Sequence, residues 1–248
     1  MNRQWIGMMV MLCITTMGLL AQDCPELLST MEYSDNSLAI VMQNENVVFI
    51  ADQPNVIEKY NISSNQLIFS SSYQTEGSNW FPKIDVDSNR VAWYGWGNNW
   101  EVGRIYLIDF TSINPYKIGE YIFQDLAEDD CVEIIYRNDM VYVLTYTKTY
   151  IIDFSNPSLP WLRSEWGSSY TINYDFKLVG SYLYTLVADE IWGSQIVIHD
   201  ITNLDNPTQL SITPCNTNGG QLAVSESRAY VVGDKIAVVD ISDPVYPT

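Results

Sequence analysis

Four stretches of the chain repeat one order of apolar and polar residues. Each is an apolar run that ends in an aspartate, followed by one apolar residue, a serine or threonine, and soon an Asn-Pro or Asp-Pro pair. Apolar residues at successive positions predict strands that are buried on both faces. The runs occupy residues 105–109, 150–153, 196–200 and 236–240, and their aspartates, Asp109, Asp153, Asp200 and Asp240, are spaced by 44, 47 and 40 residues. A period of about 40–50 residues in an all-β pattern is typical of propeller blades.

The segments between these runs predict three further strands per repeat and no helix. None shows apolar residues at helical spacing, and turn residues recur at roughly 8–12 positions, as in a meander. In the first unit Asn61 stands in place of the aspartate. We therefore predict an all-β fold, a β-propeller of four-stranded antiparallel blades with five blades visible. The predicted strands are 38–42, 47–51, 56–62 and 66–71; 81–86, 91–96, 104–110 and 118–123; 131–136, 140–146, 150–154 and 160–166; 174–179, 182–187, 195–201 and 208–213; and 221–225, 229–232 and 235–241.

The last unit reaches Thr248 where its outer strand is expected to begin, and two interpretations stay open. Residues 25–33 have the pattern of a spare outer strand that would close the ring and leave no open edge. Alternatively, further blades are missing. The first interpretation predicts a disulfide between Cys24, which precedes that strand, and Cys215, which leaves the neighbouring outer strand.

The repeated phrase, Ile105-Tyr-Leu-Ile-Asp109 in the second unit, resembles the LVIVD repeat of exported bacterial proteins. Blades of that family carry an apolar Leu-Val-Ile-Val-Asp-like strand followed by a Ser, Asn or Asp and a proline. The resemblance covers roughly residues 34–248 and implies a β-propeller, an extracellular or cell-surface location, and no established catalytic residues. Some members add anchoring or sorting modules at the C-terminus, and none is visible in this sequence.

Residues 1–21 have the features of a secretory signal peptide, with Arg3 near the start, an apolar run over 5–20 and Ala21 before the predicted cut. A cut after Gly18 is a second option. The alternative is a membrane anchor, for which the run is short. We assign residues 22–248 to the propeller and expect a secreted or cell-surface protein, periplasmic or extracellular. No later apolar run is long enough to cross a bilayer, so no span is expected after signal removal.

The formal charge of the chain is −18, and removal of Arg3 with the signal makes it −19. Such an acidic surface repels phosphate backbones, so nucleic-acid binding is not expected. The glycine fingerprints of nucleotide-binding loops are absent, and we expect no cofactor. No Cys-x-x-Cys occurs, which argues against a thiolate zinc site.

The repeated aspartates and prolines are predicted to be structural. Each carboxylate follows a buried strand and is placed to accept hydrogen bonds from the next turn. Proline cannot donate to a strand ladder, so it sets the entry to the outer strand. The alternative is a ring of carboxylates that binds a cation, but catalytic or ligand residues seldom recur once per blade. The prolines are Pro115, Pro157, Pro207 and Pro244.

Catalytic chemistry has few candidates. The one histidine, His199, occupies an apolar slot and is predicted to be a hydrogen-bonded core residue, which excludes a Ser-His-Asp triad. Residues 85–89 resemble the start of a calcium loop, but the rest of the pattern fails and they are predicted to form a turn. A carboxylate pair of the glycosidase type stays open as an alternative. An acidic loop is a weak cation candidate through Asp125, Glu128, Asp129 and Asp130, with solvated acids as the default.

Aromatic residues in and beside Gly- and Asn-rich loops favour recognition, because flat rings stack on sugars or anchor a protein partner. Trp93 and Trp161 are predicted instead to fill the wedges between blades. The most plausible function is a non-enzymatic binding or interaction scaffold for a protein or glycan. The alternatives are a glycosidase- or lyase-like hydrolase with its site in the propeller funnel, and a purely structural surface component. The ligand-binding candidates are Trp80, Tyr94, Trp96, Trp100 and Trp192.

Overall fold

A computed structural model describes residues 39–44, 47–52, 56–64, 66–76, 78–96, 102–123, 131–167, 172–189 and 193–248, without the side chains of 52, 78–82, 96 and 189. These residues form nineteen strands and no helix. The strands make five antiparallel sheets, of which four have four strands and the fifth has three. This confirms the predicted all-β fold. The first two sheets contain β1 Ala39–Asn44, β2 Val47–Asp52, β3 Val56–Ser63 and β4 Gln66–Gln74, then β5 Ser78–Asp87, β6 Arg90–Trp96, β7 Gly103–Asp109 and β8 Tyr116–Ile122.

The remaining strands follow the same plan. They are β9 Cys131–Arg137, β10 Met140–Thr145, β11 Lys148–Asp153 and β12 Trp161–Gly167; β13 Ile172–Val179, β14 Tyr182–Asp189, β15 Gly193–Asp200 and β16 Thr208–Pro214; and β17 Gln221–Val224, β18 Arg228–Val232 and β19 Ile236–Asp240. Each sheet is a meander in chain order, so each is one blade. The first strands of successive blades contact one another and are called inner strands below, with the fourth strand as the outer strand.

Apolar clusters fill the junctions between successive blades. In β7, Tyr106 and Ile108 pack into the cluster shared with the first blade, whereas Ile105 and Leu107 pack into the cluster shared with the third. Neighbouring sheets therefore cover both faces of this strand, as the doubly apolar run predicts. The fifth blade differs. Val239 packs against the fourth blade, but Ile236 is 70% exposed, because no described sheet covers its other face.

The repeated aspartate caps the third strand in the same way in four blades. Its Oδ1 accepts a hydrogen bond from the backbone N–H two residues later, at 2.7, 2.8, 2.8 and 2.9 Å for Asp109, Asp153, Asp200 and Asp240. Hydrogen bonds from Thr202 and Ser242 lower the pKa of Asp200 and Asp240 below the usual value. The residue after each aspartate is buried, and its N–H donates to the turn between the first two strands. The motif thus joins the end of the third strand to the turn between the first two strands of the same blade.

A second repeated contact joins each outer strand to the next blade. The Ser164 hydroxyl donates to the Leu204 carbonyl at 2.7 Å, and the equivalent Ser211 hydroxyl donates to the Pro244 carbonyl at 2.8 Å. A bulge directly precedes this position in the outer strands of the first four blades. In the second blade the position is Gly119, where a Cβ would collide with the Pro157 carbonyl. Only small residues fit there, and this contact was not anticipated from the sequence.

Candidate binding surface at the loop end of the blades

The two ends of the blades differ because neighbouring strands run in opposite directions. One end carries short turns between first and second strands, such as Asn138-Asp139, together with the connections that follow the repeated aspartates. Asn138 and Asp139 both have positive φ, 52° and 62°, as a two-residue hairpin turn of this hand requires. We call this the turn end. The other end, the loop end, carries the connections from second to third strands and from each blade to the next.

Most of the predicted binding residues belong to the loop end. Trp96 is the last residue of β6 and pairs with Ser78 at the start of β5, which also contains Trp80. Trp100 and Trp192 lie outside the described residues, in connections between second and third strands. The four acids of the predicted cation loop, Asp125, Glu128, Asp129 and Asp130, also lie outside them. The described residues contain no group of three or more His, Cys, Asp or Glu residues suited to a metal ion.

Tyr94 belongs to the core. It is 2% exposed and packs beside Phe123, with ring centroids 6.2 Å apart. A Cβ on Gly103 would lie 2.6 Å from the Tyr94 hydroxyl, and one on Gly95 would collide with the Trp93 ring. These two glycines make room for buried rings, although in the sequence they resemble a loop. Because its side chain is buried, we leave Tyr94 out of the binding surface.

Only one of the two tryptophans predicted to fill the wedges between blades is buried. Trp93 is 1% exposed and stacks on Tyr106 at 5.2 Å, as expected of a residue between blades. Trp161 is 49% exposed, so the wedge prediction was wrong for it. It begins β12 at the turn end, where the outer strand starts beyond the apolar clusters and the Arg163 guanidinium lies 5.5 Å from its ring.

The described part of the loop end exposes a group of large side chains at the junction of the third and fourth blades. Tyr146 is 48% exposed, Ile172 51% and Tyr174 38%, and we call these three the aromatic patch. Asn173 fixes their arrangement, because its backbone N–H donates to the Tyr146 carbonyl and its Nδ2 donates to the Thr145 carbonyl, both at 2.8 Å. The patch is therefore held by buried hydrogen bonds across two blades.

A bulge in β13 presents Tyr174. Asn173 pairs with Val187 and Asp175 pairs with Leu186, so Tyr174 has no partner in the register. A bulge of this kind redirects one side chain out of the regular alternation. The binding residues predicted from the sequence include none of these three, because their proximity depends on how two blades meet.

Charged residues on the inner strands form a second group. The Asp85 Oδ2 accepts hydrogen bonds from the Tyr136 N–H at 2.8 Å and the Arg137 Nη1 at 3.1 Å. Burial raises the pKa of Asp85, while these two donors oppose the rise. Because Tyr136 and Arg137 lie on the next inner strand, Asp85 links the second blade to the third. The turn predicted over residues 85–89 is confined to Ser88-Asn89, because residues 85–87 belong to β5.

Asp175 makes the corresponding link from the fourth blade to the fifth. Its Oδ2 accepts from the Leu222 N–H at 2.7 Å, and its Oδ1 accepts from Lys177 Nζ at 2.6 Å. Burial raises the pKa of the nearby Glu133, while Lys83 and Lys177 lower it and Asp175 raises it further. Glu133 and Asp175 are therefore close enough to interact, but both Asp175 oxygens already accept hydrogen bonds.

His199 is a packed core residue, 7% exposed, with its ring centroid 5.2 Å from that of Trp166. Its Nδ1 has no hydrogen-bond partner anywhere in the described ranges, so the expected core hydrogen bond is missing at this atom. Burial lowers the pKa of His199 to about 4, which makes the ring neutral at pH 7. Burial also raises the pKa of Cys215 to about 11. Cys131 and Cys215 form no disulfide with each other, and the Cys24–Cys215 bridge stays a prediction because Cys24 lies outside the described residues.

Radial blades, a repeated aspartate cap and aromatic loops at one end define a repeat protein of the β-propeller class. The family model of the LVIVD repeat matches residues 141–166 and 218–248, in the third and fifth blades. The chain thus contains LVIVD repeats, as its repeated phrase indicated. A comparison with curated proteins finds no match. The described residues contain no helix that is long and apolar enough to span a membrane.

Solved structures show the same fold at low sequence identity. A protein from Lactobacillus plantarum aligns with a TM-score of 0.62 and 10% identity over 79% of this chain and 64% of that one. Hsv2 of Kluyveromyces lactis gives 0.57 and 11% over 83% and 61%, and the WD40 domain of Neurospora crassa Pan2 gives 0.52 and 12% over 86% and 78%. The chain spans less than two thirds of the length of the first two. At these identities the similarity concerns the fold alone.

Proposed function

We propose that this protein is an exported, non-enzymatic binding scaffold that recognises a protein or a glycan through the loop end of its blades. The observation that carries the proposal is the aromatic patch of Tyr146, Ile172 and Tyr174, which is exposed yet fixed by hydrogen bonds of Asn173. Loops held by a rigid scaffold are where binding residues concentrate. The tryptophan-bearing connections predicted to bind ligands join strands at this same end.

The chemistry of the patch fits an anchor for a ligand. Tyrosine offers a flat apolar face and a polar hydroxyl, and it loses little conformational entropy on binding because it has few rotatable bonds. When the backbone beside exposed rings is already fixed, less conformational entropy is lost as the interface forms. Both features favour recognition over a purely structural surface, for which exposed aromatic side chains bring no benefit.

The experiment uses a double variant, Tyr146→Ala with Tyr174→Ala, and Trp161→Ala as the matched control. Trp161 is a similarly exposed aromatic residue, but it lies at the turn end. The wild type is screened on a glycan array and against a displayed peptide library, and the affinities of the hits are then measured for each variant. We expect the double variant to lose roughly tenfold or more in affinity, as for a truncated aromatic anchor, and the control to be unchanged. Hits that bind the double variant as tightly as the wild type would refute the proposal.

One observation favours a second candidate, a carboxylate-dependent hydrolase of the glycosidase or lyase type. Asp175 lies on the inner strand next to that of Glu133 and adds to the rise in the pKa of Glu133 that burial causes, and a raised pKa suits a general acid. Against this, Lys177 and the Leu222 N–H occupy Asp175. Release of reducing sugar from polysaccharides by the wild type, abolished by Glu133→Gln in a folded variant, would favour the hydrolase over the scaffold.

Export is part of the proposal and has its own test. Expression in a bacterial host with an intact secretion system, followed by mass measurement of the exported protein, should give a mature chain that begins at Gln22. A chain that begins at Leu19 would indicate the second cut. A full-length chain retained in the membrane fraction would support the anchor instead.

A further inference from the structure

The turn end contains an open cleft of about 360 Å³ between the fourth and fifth blades. Val179, Tyr184 and Ile241 give it an apolar floor, and hydroxyl groups of serine, threonine and tyrosine surround the mouth. Glu226 is the one charged residue of the lining, and its exposed carboxylate has no ion pair with any described residue. The volume of the cleft suits one long side chain or a small ligand.

The equivalent junction between the second and third blades is closed by side chains. Arg90 Nη1 lies 2.8 Å from the Asp139 Oδ1, and the Asp87 Oδ2 accepts from the Asn138 N–H at 2.8 Å. The pKa of Arg90 is raised, chiefly by a hydrogen bond with Tyr136, which is 1% exposed. A cation of the protein itself, paired with a carboxylate and a tyrosine, thus bridges this junction with its side chain 41% exposed.

The strand registers identify what replaces these residues at the junction of the fourth and fifth blades. Arg90 pairs with Asp109 as Tyr182 pairs with Asp200, and the turn carbonyls of Asn89 and Ser227 accept equivalent hydrogen bonds. By the same registers, Val179 replaces Asp87, Val224 replaces Tyr136, Ser227 replaces Asp139 and Glu226 replaces Asn138. The bridging cation is thus replaced by a tyrosine, its large aromatic neighbour by a valine and its two carboxylates by a valine and a serine, while Glu226 stands in place of an asparagine.

Other cations of the fifth blade do not fill the cleft. Arg228 is exposed and alternates along β18 with Ala229 and Val231, whose side chains pack against the fourth blade. Its side chain therefore points to the opposite face of the sheet. The cleft keeps one negative charge, tyrosines and an apolar floor.

We propose that this cleft binds an arginine or lysine side chain presented by a basic segment of a protein partner. The methylene groups of such a side chain would lie on the apolar floor, while its charged head meets Glu226 and the tyrosine hydroxyls. The net charge of −18 attracts basic partners over longer distances. The cleft lies at the end opposite to the aromatic patch, so this proposal does not depend on the function proposed above.

The test uses acetyl-Gly-Gly-Arg-Gly-Gly-amide as the probe and the same peptide with glutamate in place of arginine as its control. Binding to the isotope-labelled full chain is followed by amide chemical shifts. The arginine peptide is expected to bind weakly and to shift the amides of Gly180, Ser181 and Ser242, which line the cleft. The glutamate peptide should leave them unchanged. Shifts confined to other amides, or equal shifts with both peptides, would overturn the proposal.

Two variants separate local recognition from overall charge. Glu226→Gln and Glu76→Gln make the same change in net charge, but Glu76 is an exposed residue that faces Lys117 on another blade. Glu226→Gln should weaken the arginine peptide by about fivefold, since a charge-assisted hydrogen bond at a partly exposed site is lost. Glu76→Gln should leave the affinity within about twofold, because an exposed charge on another blade is screened from the cleft by salt. Equal effects of the two variants would show attraction by net charge alone and would refute the cleft.

Discussion

His199 gives the sharpest test of the packing between blades, because it buries a titratable ring in a slot that other repeats fill with Ile108, Ile152 or Val239. We predict that His199→Ile reduces the loss of stability of the protein in mild acid. The ring has a pKa of about 4 in the folded chain, against 6.5 when exposed, and burial is the cause. Between these values the unfolded chain binds a proton that the folded chain does not bind. The free energy of unfolding therefore falls as the pH falls through this window.

The magnitude follows from the two pKa values. At pH 7 the ring is mostly neutral in both states and contributes almost no pH dependence. At pH 5 it is largely protonated in the unfolded chain and neutral in the folded chain, which costs the wild type about 2 kcal/mol relative to pH 7. The His199→Ile variant lacks this loss, so the difference in stability between variant and wild type should grow by about 2 kcal/mol from pH 7 to pH 5.

Urea unfolding at pH 7, 6 and 5 measures this difference, and pH 5 stays above the isoelectric point of about 4.1. Other carboxylates with shifted pKa values titrate in both proteins and cancel in the comparison. Ile108→Val is the matched control, a loss of one methyl group at the same slot that should cost about 0.5–1.5 kcal/mol at every pH. Parallel stability curves for the wild type and His199→Ile would show that the ring is not desolvated, and the reasoning would fail.

Three further substitutions test the contacts between and within blades. Asp153→Ala should lower the free energy of unfolding by about 1–3 kcal/mol in urea, because the Ser155 N–H loses its acceptor in a partly buried hydrogen bond, and Asp200→Ala at the exposed equivalent should cost less; the reverse order would contradict the capping role. Gly119→Ala places a methyl group against a carbonyl of the next blade and should cost about 1–3 kcal/mol, so an unchanged melting temperature would count against the contact. Asp175→Ala should cost about 1–3 kcal/mol and speed hydrogen exchange at the Leu222 amide, whereas unaltered exchange there would rule out the link between inner strands.

The strands could be predicted because their information is local. An apolar run, a polar turn and an aspartate after the third strand recur in each unit, and the observed bounds differ from the predicted ones by at most a few residues. The exposed Ile236 and Val238 of β19 show the limit of this reasoning. An apolar run indicates that both faces of a strand are suited to burial. Burial itself requires a neighbouring sheet, and the residue pattern within one strand does not show whether that sheet is present.

The binding surface was harder to predict because its position depends on registers and on how blades meet. Tyr174 is exposed through a bulge, and the Tyr146 backbone lies beside β13 because Asn173 hydrogen-bonds to it across the junction. Tyr94 shows the opposite case, since the glycines beside it gave it the appearance of a loop residue while they leave space for buried rings.

The repeats themselves contain a signal that reaches beyond single strands. Aligned on their aspartates, the units place Ser71, Gly119, Ser164 and Ser211 at one position of the outer strand, and all four residues are small. Recurrence of small residues at a fixed place indicates close approach of another backbone, as the Leu204 and Pro244 carbonyls show for two of them. The same alignment exposes the cleft, because a position that holds Arg90 in one blade and Tyr182 in another cannot close both junctions in the same way. In a repeat protein, positions that stay constant therefore indicate how blades are joined, whereas a position that varies from blade to blade, such as that of Arg90 and Tyr182, leaves room for a ligand at particular junctions.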